Sequence, residues 1–245
     1  MKVSIFVTCL VDQIFPEIGV KMAECLTRLG VEVQFNEAQT CCGQPAYNTG
    51  HFREARDVAR QTVTILDQEL KTADYVVIPS GSCAAMIKMH FGDLFSEAET
   101  LRTQAATVAG KVFEFTQFLT EVLKVEDVGA VFSGRVTYHD SCHLRRELGV
   151  VDGPRRLIKS VNGIEFHEMK DAEACCGFGG TFSVKYADIS RSITQDKATR
   201  VEKSGAGAVI ACDASCLMQI SGELKRRGSE VRCMHIAELL ASRLN

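Results

Sequence analysis

Cysteines are the residues of this sequence most able to do chemistry, and the 245-residue chain contains 11 of them. Two adjacent pairs, Cys41-Cys42 and Cys175-Cys176, are each followed by a glycine. Neighbours in sequence seldom form a disulfide with each other because the bridge is strained. The first residues are typical of a β-strand rather than a signal peptide, so we expect a cytoplasmic protein, in which structural disulfides are rare. The cysteines therefore favour metal ligation.

The cysteine spacing repeats along the chain. Three landmarks of the first half recur in the second half at an offset of 133 or 134 residues. The matched positions are Cys9 with Cys142, Cys41-Cys42 with Cys175-Cys176, and Cys83 with Cys216. A nearly constant offset at three landmarks is hard to obtain by chance, so the sequence predicts a duplication.

The two copies differ in their number of thiols. The second contains five candidate ligands, Cys142, Cys175, Cys176, Cys212 and Cys216. The first contains four, Cys9, Cys41, Cys42 and Cys83, and has Pro79 at the position of Cys212. Both a structural zinc and a cubane cluster need four ligands. Five thiols, two of them adjacent, favour an iron–sulfur cluster in the second copy, either non-cubane or 4Fe-4S. Either an iron–sulfur cluster or zinc suits the first copy.

Histidines and arginines surround the first cysteine of the second copy. His139 and His143 flank Cys142, and a histidine here can ligate iron, move a proton, hydrogen-bond a cluster sulfur, or simply bond to the backbone. Arg145 and Arg146 can pair with a substrate carboxylate or an acidic partner surface, or remain solvated. We take His143 and Arg145 as the candidate catalytic residues.

Strands alternate with helices in both copies, with long helices predicted over about 52–72 and 187–204. This alternation predicts an α/β fold in which two Rossmann-like parallel-sheet units are related by a pseudo-twofold axis. The cysteines follow strands, so we expect them at the C-terminal strand ends, where ligands bind in such sheets. We predict a first unit over 1–125, a linker over 126–134 and a second unit over 135–245.

Composition and motifs exclude several classes of protein. The net charge is −3, and no basic stripe suits a nucleic acid or an anionic membrane surface. No apolar run is long enough for a transmembrane segment. Neither a Gly-x-x-x-x-Gly-Lys phosphate loop nor a Gly-x-Gly-x-x-Gly dinucleotide motif occurs.

The patterns Cys-x31-Cys-Cys-Gly and Cys-x32-Cys-Cys-Gly, each followed by a distal cysteine, resemble the cysteine-rich CCG domain. That family includes the catalytic subunit of heterodisulfide reductase, the iron–sulfur subunit of glycolate oxidase, and lactate-utilisation proteins. The stand-alone two-repeat length and the Cys175–Phe182 segment most resemble the lactate-utilisation members. The reductase ends each unit in Cys-x-x-Cys, whereas here Cys212 and Cys216 are separated by three residues and the first unit has only Cys83.

The resemblance implies a cytoplasmic oxidoreductase complex that converts lactate to pyruvate. This chain would carry electrons through its cysteine-ligated clusters, beside a ferredoxin-like iron–sulfur subunit and a third subunit. Two alternatives remain open. One is a zinc-bound interaction or scaffold module without redox activity, and the other is a thiol/disulfide redox subunit like that of heterodisulfide reductase.

Overall fold

The computed structural model describes residues 1–243, which form two four-stranded sheets. The first contains β1 (Lys2–Ile5), β2 (Glu32–Phe35), β3 (Tyr75–Ile78) and β4 (Val112–Glu114). The second contains β5 (Val131–Tyr138), β6 (Asn162–Phe166), β7 (Ala208–Ala211) and β8 (Arg232–His235). All pairings are parallel, in the orders β2-β1-β3-β4 and β6-β5-β7-β8. The prediction of an α/β fold with two parallel-sheet units is confirmed.

Eight helices surround the first sheet. They are α1 (Cys9–Ile14), α2 (Pro16–Arg28), α3 (Gln44–Tyr47), α4 (Phe52–Glu69), α5 (Gly81–Ala85), α6 (Phe91–Leu94), α7 (Glu99–Lys111) and α8 (Phe115–Gln117). Turns of π-helix, Met86–His90 and Phe118–Val122, follow α5 and α8. Proline occupies the start of α2, where its missing N–H has no intrahelical partner to lose.

Six helices surround the second sheet in the described chain. They are α9 (Cys142–Arg146), α10 (Asp152–Lys159), α11 (Phe182–Lys185), α12 (Ala187–Lys203), α13 (Ala214–Arg226) and α14 (Ile236–Ala241). The helices predicted over 52–72 and 187–204 correspond to α4 and α12. Within residues 1–243, no helix combines the length and the apolar composition that crossing a membrane requires.

The units pack against each other in a pattern that repeats across a pseudo-twofold axis. Helix α2 of the first unit packs on α14, and its counterpart α10 packs on α8. In the same way α5 packs on α9, and α1 packs on α13. One continuous apolar core includes side chains from both units, among them Met22, Leu26, Leu157 and Leu240. Each fully buried leucine contributes about 1.5–3 kcal/mol, so this shared core holds the units together.

Each sheet also has a separate core on its outer face. In the first unit this core includes Val63, Leu66 and Phe91, which lie on or beside α4 and α6. In the second unit it includes Val201 and Ile220, on α12 and α13. Because both faces of each sheet are covered, the central strands are apolar without alternation, as in β7.

The region predicted as a linker, 126–134, contains the start of a strand. Strand β5 begins at Val131, and a register shift against β6 lies between Val131 and Gly134. Before it, the Asp127 carboxylate accepts a hydrogen bond from the Gly129 backbone N–H. The boundary between 1–125 and 135–245 stays a prediction, and residues 244 and 245 lie outside the described residues.

Candidate metal centre

The strand–helix connections position most of the predicted cysteines. Cys9 and Cys142 are the first residues of α1 and α9, just after the central strands β1 and β5. Cys83 and Cys216 are the third residues of α5 and α13, which follow β3 and β7. The adjacent pairs lie in the loops after β2 and β6. Since parallel strands end at one edge of their sheet, these connections bring the thiols of each unit together.

Four thiols of the first unit form two contacts. The Cys9 Sγ lies 3.5 Å from the Cys41 Sγ, and the Cys42 Sγ lies 3.2 Å from the Cys83 Sγ. The Gly43 backbone N–H also donates to the Cys41 Sγ, with a nitrogen–sulfur distance of 3.4 Å. The four sulfurs, which are soft ligands, therefore lie in two close pairs at this edge of the sheet.

The second unit repeats this arrangement. The Cys176 Sγ lies 3.3 Å from the Cys216 Sγ, and the nearby Cys175 raises the pKa of the Cys142 thiol. The Gly177 N–H donates to the Cys175 Sγ over 3.3 Å. Four thiols and one backbone donor therefore take equivalent places in both units.

The glycines after the cysteine pairs are required by the backbone and by close packing. Gly43 and Gly177 have φ of +82° and +92°, in the left-handed region that favours glycine. A Cβ on Gly177 would lie 2.6 Å from the Ser190 carbonyl oxygen on α12. The same helix donates from the Thr194 hydroxyl to the Cys176 carbonyl over 2.9 Å. These contacts fix the second cysteine pair against α12.

Hydrogen bonds among the thiols of the first unit determine which sulfur is a thiolate. Hydrogen bonds from Cys42 and Cys9 lower the pKa of Cys41 to about 3. The hydrogen bonds to Cys41 and burial raise the pKa of the two donor thiols, Cys9 and Cys42. One sulfur is therefore a thiolate held by protonated neighbours, and a metal ion that binds there displaces their protons.

The same pattern governs the second set. Hydrogen bonds from Cys142 and Cys176 lower the pKa of Cys175 to about 2. A hydrogen bond from Cys176, followed by the charge of the nearby His139, holds the pKa of Cys216 well below its usual value. The pKa of each donor, Cys142 and Cys176, is raised by its bond to Cys175.

His139 lies with the thiols of the second unit. Its ligand nitrogen and the sulfurs of Cys176 and Cys216 all lie within 4.8 Å of one another, and all three residues are buried. Neither ring nitrogen has a hydrogen-bond partner among residues 1–243. The structure therefore adds one nitrogen donor to this thiol set.

Both sets face one cavity of about 500 Å³ between the units. Eight cysteines line it: Cys9, Cys41, Cys42, Cys83, Cys142, Cys175, Cys176 and Cys216. Soft thiolates bind iron–sulfur clusters and zinc, and the backbone N–H groups of Gly43 and Gly177 already point at sulfur. The donor set therefore fits a thiolate-bound metal centre in each unit.

Cys212, the fifth thiol predicted for the second unit, lies in the shared core instead. It directly follows β7, is fully buried, and has its Sγ 3.4 Å from the Tyr138 hydroxyl. Side chains alternate across a strand, so the next residue, Asp213, faces the cavity while Cys212 faces the core. Of the five thiols that favoured an iron–sulfur cluster in the second copy, four line the cavity, and His139 lies beside them.

The two candidate catalytic residues take different positions. His143 lines the cavity, with Nδ1 3.4 Å from the Cys142 Sγ and Nε2 3.6 Å from a Glu147 oxygen. Arg145 donates to the buried Asp140 carboxylate over 2.8 Å. This ion pair compensates a buried charge beside the Cys142 loop, and a catalytic role for Arg145 stays a prediction.

Sequence reasoning missed a polar contact between the units at the cavity wall. Asp213 accepts hydrogen bonds from the hydroxyls of Ser80 and Ser82 over 2.7 and 2.9 Å. Burial, followed by the nearby Cys216 charge, raises the pKa of Asp213 to about 6. Asp213 and Ser80 are 133 residues apart, so the repeat itself was the signal that could have identified them.

The family model of the CCG cysteine-rich domain matches the chain twice, at residues 3–88 and 136–221. The two matches cover the cysteines that line the cavity and more than half of the chain. The chain belongs to the CCG cysteine-rich domain family, as the resemblance predicted.

The chain is similar over its full length to several curated relatives. It is 49% identical over 243 residues to Lactate utilization protein A of Geobacillus kaustophilus, covering 99% of this chain and 100% of that protein. It is 46% identical over 240 residues to Lactate utilization protein A of Oceanobacillus iheyensis, covering 98% and 96%. The protein of that name in Bacillus licheniformis is 45% identical over 243 residues, covering 99% and 100%.

Proposed function

We propose that this chain is a cytoplasmic iron–sulfur subunit that carries electrons in the oxidation of lactate to pyruvate. The observation that supports this most strongly is the pair of equivalent four-thiol sets that face one cavity. The reaction is inferred from the names of the full-length relatives. In this proposal a ferredoxin-like iron–sulfur subunit and a third subunit are the partners.

Each thiol set would hold one cluster. Cys9, Cys41, Cys42 and Cys83 would hold the first, and Cys142, Cys175, Cys176 and Cys216 the second. An iron–sulfur cluster, when bound, supplies reversible one-electron transfer. The chain supplies the ligands and two backbone N–H donors that favour negative charge on sulfur.

The surface around the second pair suits access by an electron-transfer partner. Cys175 is exposed, whereas its neighbour Cys176 is buried. Gly179 and Gly180, which have no side chains, line the same cavity as Cys175. Close approach matters because electron transfer requires the two redox groups to lie near each other.

The proposal is tested by anaerobic purification of the complex and addition of lactate. We expect a lactate-dependent change in the visible absorption and the paramagnetic signal of this subunit. Cys175→Ser/Cys176→Ser should abolish part of that change, whereas Cys233→Ser should not, because Cys233 lies in β8 and does not line the cavity. An iron-loaded complex whose spectrum does not respond to lactate would contradict the proposed reaction.

A zinc-bound first unit is the second candidate, and it is favoured by the number of ligands there. Structural zinc takes four ligands, and the first unit offers four cavity-lining thiols without a neighbouring histidine at the position of His139. Metal analysis of the Cys175→Ser/Cys176→Ser variant separates the two candidates. Remaining zinc would support this interpretation, and remaining iron with sulfide would reject it.

A further inference from the structure

The two metal sites differ at one buried position. His139 in the second unit and Phe6 in the first are 133 residues apart, and each directly follows the central strand of its sheet. Both side chains are 1% exposed. Phe6 packs in the apolar core that also contains Cys42 and Cys83. The duplicated fold therefore places a phenyl ring beside one thiol set and an imidazole beside the other.

The polar interactions of the His139 imidazole are directed at the thiol set, where His139 helps to lower the pKa of Cys216. Neither Nδ1 nor Nε2 has a hydrogen-bond partner in the part of the chain that the structure describes. Burial of an unpaired polar group costs about 1–3 kcal/mol, and a phenylalanine fills the same position in the first unit without that cost. By contrast, the equally buried His235 uses its Nδ1 to accept a hydrogen bond from the Ala237 N–H. Burial of the His139 imidazole therefore lowers the free energy of unfolding unless the ring nitrogens bind a ligand.

The position of the imidazole indicates what its nitrogen binds. Its ligand nitrogen lies within 4.8 Å of the Cys176 and Cys216 sulfurs, which are themselves 3.3 Å apart. Imidazole nitrogen and thiolate sulfur together form common ligand sets for iron and zinc. Asp213 on the cavity wall also contacts the other unit, since its Oδ1 accepts hydrogen bonds from Ser80 and Ser82.

We propose that His139 is a nitrogen ligand of the metal centre in the second unit, whereas the centre of the first unit is held by thiolates alone. This inference rests on the proposed function, since it assumes that both thiol sets bind metal. His139 would add a neutral donor to the four thiolates of this set, whereas a thiolate at the same position would add negative charge and lower the reduction potential of the centre.

Pulsed electron paramagnetic resonance on protein that contains ¹⁵N-histidine tests the ligand directly. We expect nitrogen hyperfine coupling from one histidine in the signal of one centre. His139→Phe, which copies the first unit, should remove it and reduce metal retention by the second unit. His139→Cys should restore metal retention but not the coupling, and should lower the reduction potential of that centre.

Three further variants make the test specific. Two are controls, and the third replaces His143, which also lies near the thiols. His167→Gln changes an exposed histidine and should leave the coupling unchanged. Phe6→His places an imidazole beside the first thiol set and should add a second nitrogen coupling. His143→Ala, close to Cys142, should retain the coupling; its loss in that variant together with its persistence in His139→Phe would overturn the proposal.

The outcomes separate the inference from the proposed function. Iron-loaded wild-type protein without histidine coupling, and with the same potentials as His139→Cys, overturns the role of His139 and leaves the iron–sulfur assignment intact. Protein that binds zinc overturns the iron–sulfur assignment. Co²⁺ then replaces zinc as the paramagnetic probe, and the same comparison of wild type with His139→Phe decides whether His139 is a ligand.

Discussion

Ser80 and Asp213 occupy equivalent positions in the two units, and the Ser80 hydroxyl donates to Asp213 over 2.7 Å. Two residues related by the repeat can contact each other only where they lie close to the pseudo-twofold axis. The pair therefore marks that axis, and it lies at the wall of the cavity that both thiol sets face. Each is also the residue before a helix, α5 or α13, that carries a cysteine.

Removal of the Asp213 carboxylate should destabilise the contact between the units. Asp213→Ala removes the acceptor of the buried Ser80 hydroxyl and of the half-buried Ser82 hydroxyl, which leaves them only each other as side-chain partners. We expect a loss of about 1–3 kcal/mol in the free energy of unfolding, measured by urea denaturation. Asp213→Asn should lose less, because the amide oxygen still accepts these bonds.

A matched control for this prediction is Asp57→Ala, an exposed position on α4. We expect it to change the free energy of unfolding by less than about 0.5 kcal/mol. If Asp213→Ala were as stable as Asp57→Ala, the hydrogen bonds between the units would have no role in holding them together.

The free energy of unfolding should depend on pH through two buried side chains that cap helices, Glu114 in the first unit and His235 in the second. Glu114 ends β4 and caps α8, and burial raises its pKa from 4.5 to about 7. The folded protein therefore holds this proton more tightly than the unfolded chain. The stabilisation is complete below pH 4.5 and is lost as the pH rises through 7. Relative to Glu114→Gln, wild type should lose on the order of 3 kcal/mol over that window.

His235 ends β8 and caps α14, and its effect has the opposite sign. Burial lowers its pKa from 6.5 to about 4, so the folded protein keeps it neutral. Between pH 6.5 and 4 the unfolded chain binds the proton first, and wild type should lose stability as the pH falls. Relative to His235→Asn, the loss should also be on the order of 3 kcal/mol.

Chemical denaturation of both variants at pH 4.5, 5.5, 6.5 and 7.5 provides the check. The difference between wild type and variant cancels all other titrations. Parallel stability curves for wild type and either variant would show that the corresponding cap does not titrate within this range.

Substitution of Gly177 should lower metal content more than substitution of Gly180, although both glycines lie in the loop that follows the Cys175-Cys176 pair. Gly177 and Gly180 both have positive φ, but a Cβ at Gly177 would overlap the Ser190 carbonyl, whereas a Cβ at Gly180 meets open space. We expect Gly177→Ala to displace the Cys175-Cys176 pair from α12 and to lower metal content in the second unit. Gly180→Ala should keep it, at a cost of about 1 kcal/mol for the left-handed backbone. Equal metal content in the two variants would show that the contact with α12 does not position the ligands.

Thiol alkylation should distinguish ligands from core cysteines. In metal-free protein Cys175 is an exposed thiolate with a pKa of about 2, so iodoacetamide should modify it first. Cys212 and Cys25 are fully buried and should react only on unfolding. Metal loading should protect Cys175 and leave the rate at Cys212 unchanged, as peptide mass spectrometry can measure. Metal protection of Cys212 rather than Cys175 would place the fifth ligand where the structure does not.

The repeat made much of the architecture predictable. A constant offset from Cys9 to Cys142 and from Cys83 to Cys216 identified two equivalent units, and each cysteine followed a predicted strand. Because parallel strands share one direction, this was sufficient to predict one edge per sheet at which the thiols meet. Long amphipathic stretches likewise predicted α4 and α12 to within a few residues.

The direction of individual side chains was not predictable in the same way. Cys212 has the composition of a ligand, but a shift of one residue along a strand reverses the face, and only the register shows that Asp213 faces the cavity. Helix α13, which carries Cys216, begins after Asp213, a residue type typical of helix N-caps, but the Asp213 carboxylate accepts hydrogen bonds from Ser80 and Ser82 instead of from its own helix. The unpaired state of His139 depends on neighbours from distant segments, which the local sequence does not specify.

Iron and acid-labile sulfide content of anaerobically purified protein is the most direct test of the account. We expect both elements in wild type, the loss of one cluster's iron and sulfide in Cys41→Ser/Cys42→Ser, and the loss of the other in Cys175→Ser/Cys176→Ser. Cys212→Ser should keep the full content, because its sulfur lies in the shared core beside Tyr138. Wild-type protein without iron and sulfide, or double variants that retain all of both, would contradict the claim that the cavity-lining thiols hold iron–sulfur clusters.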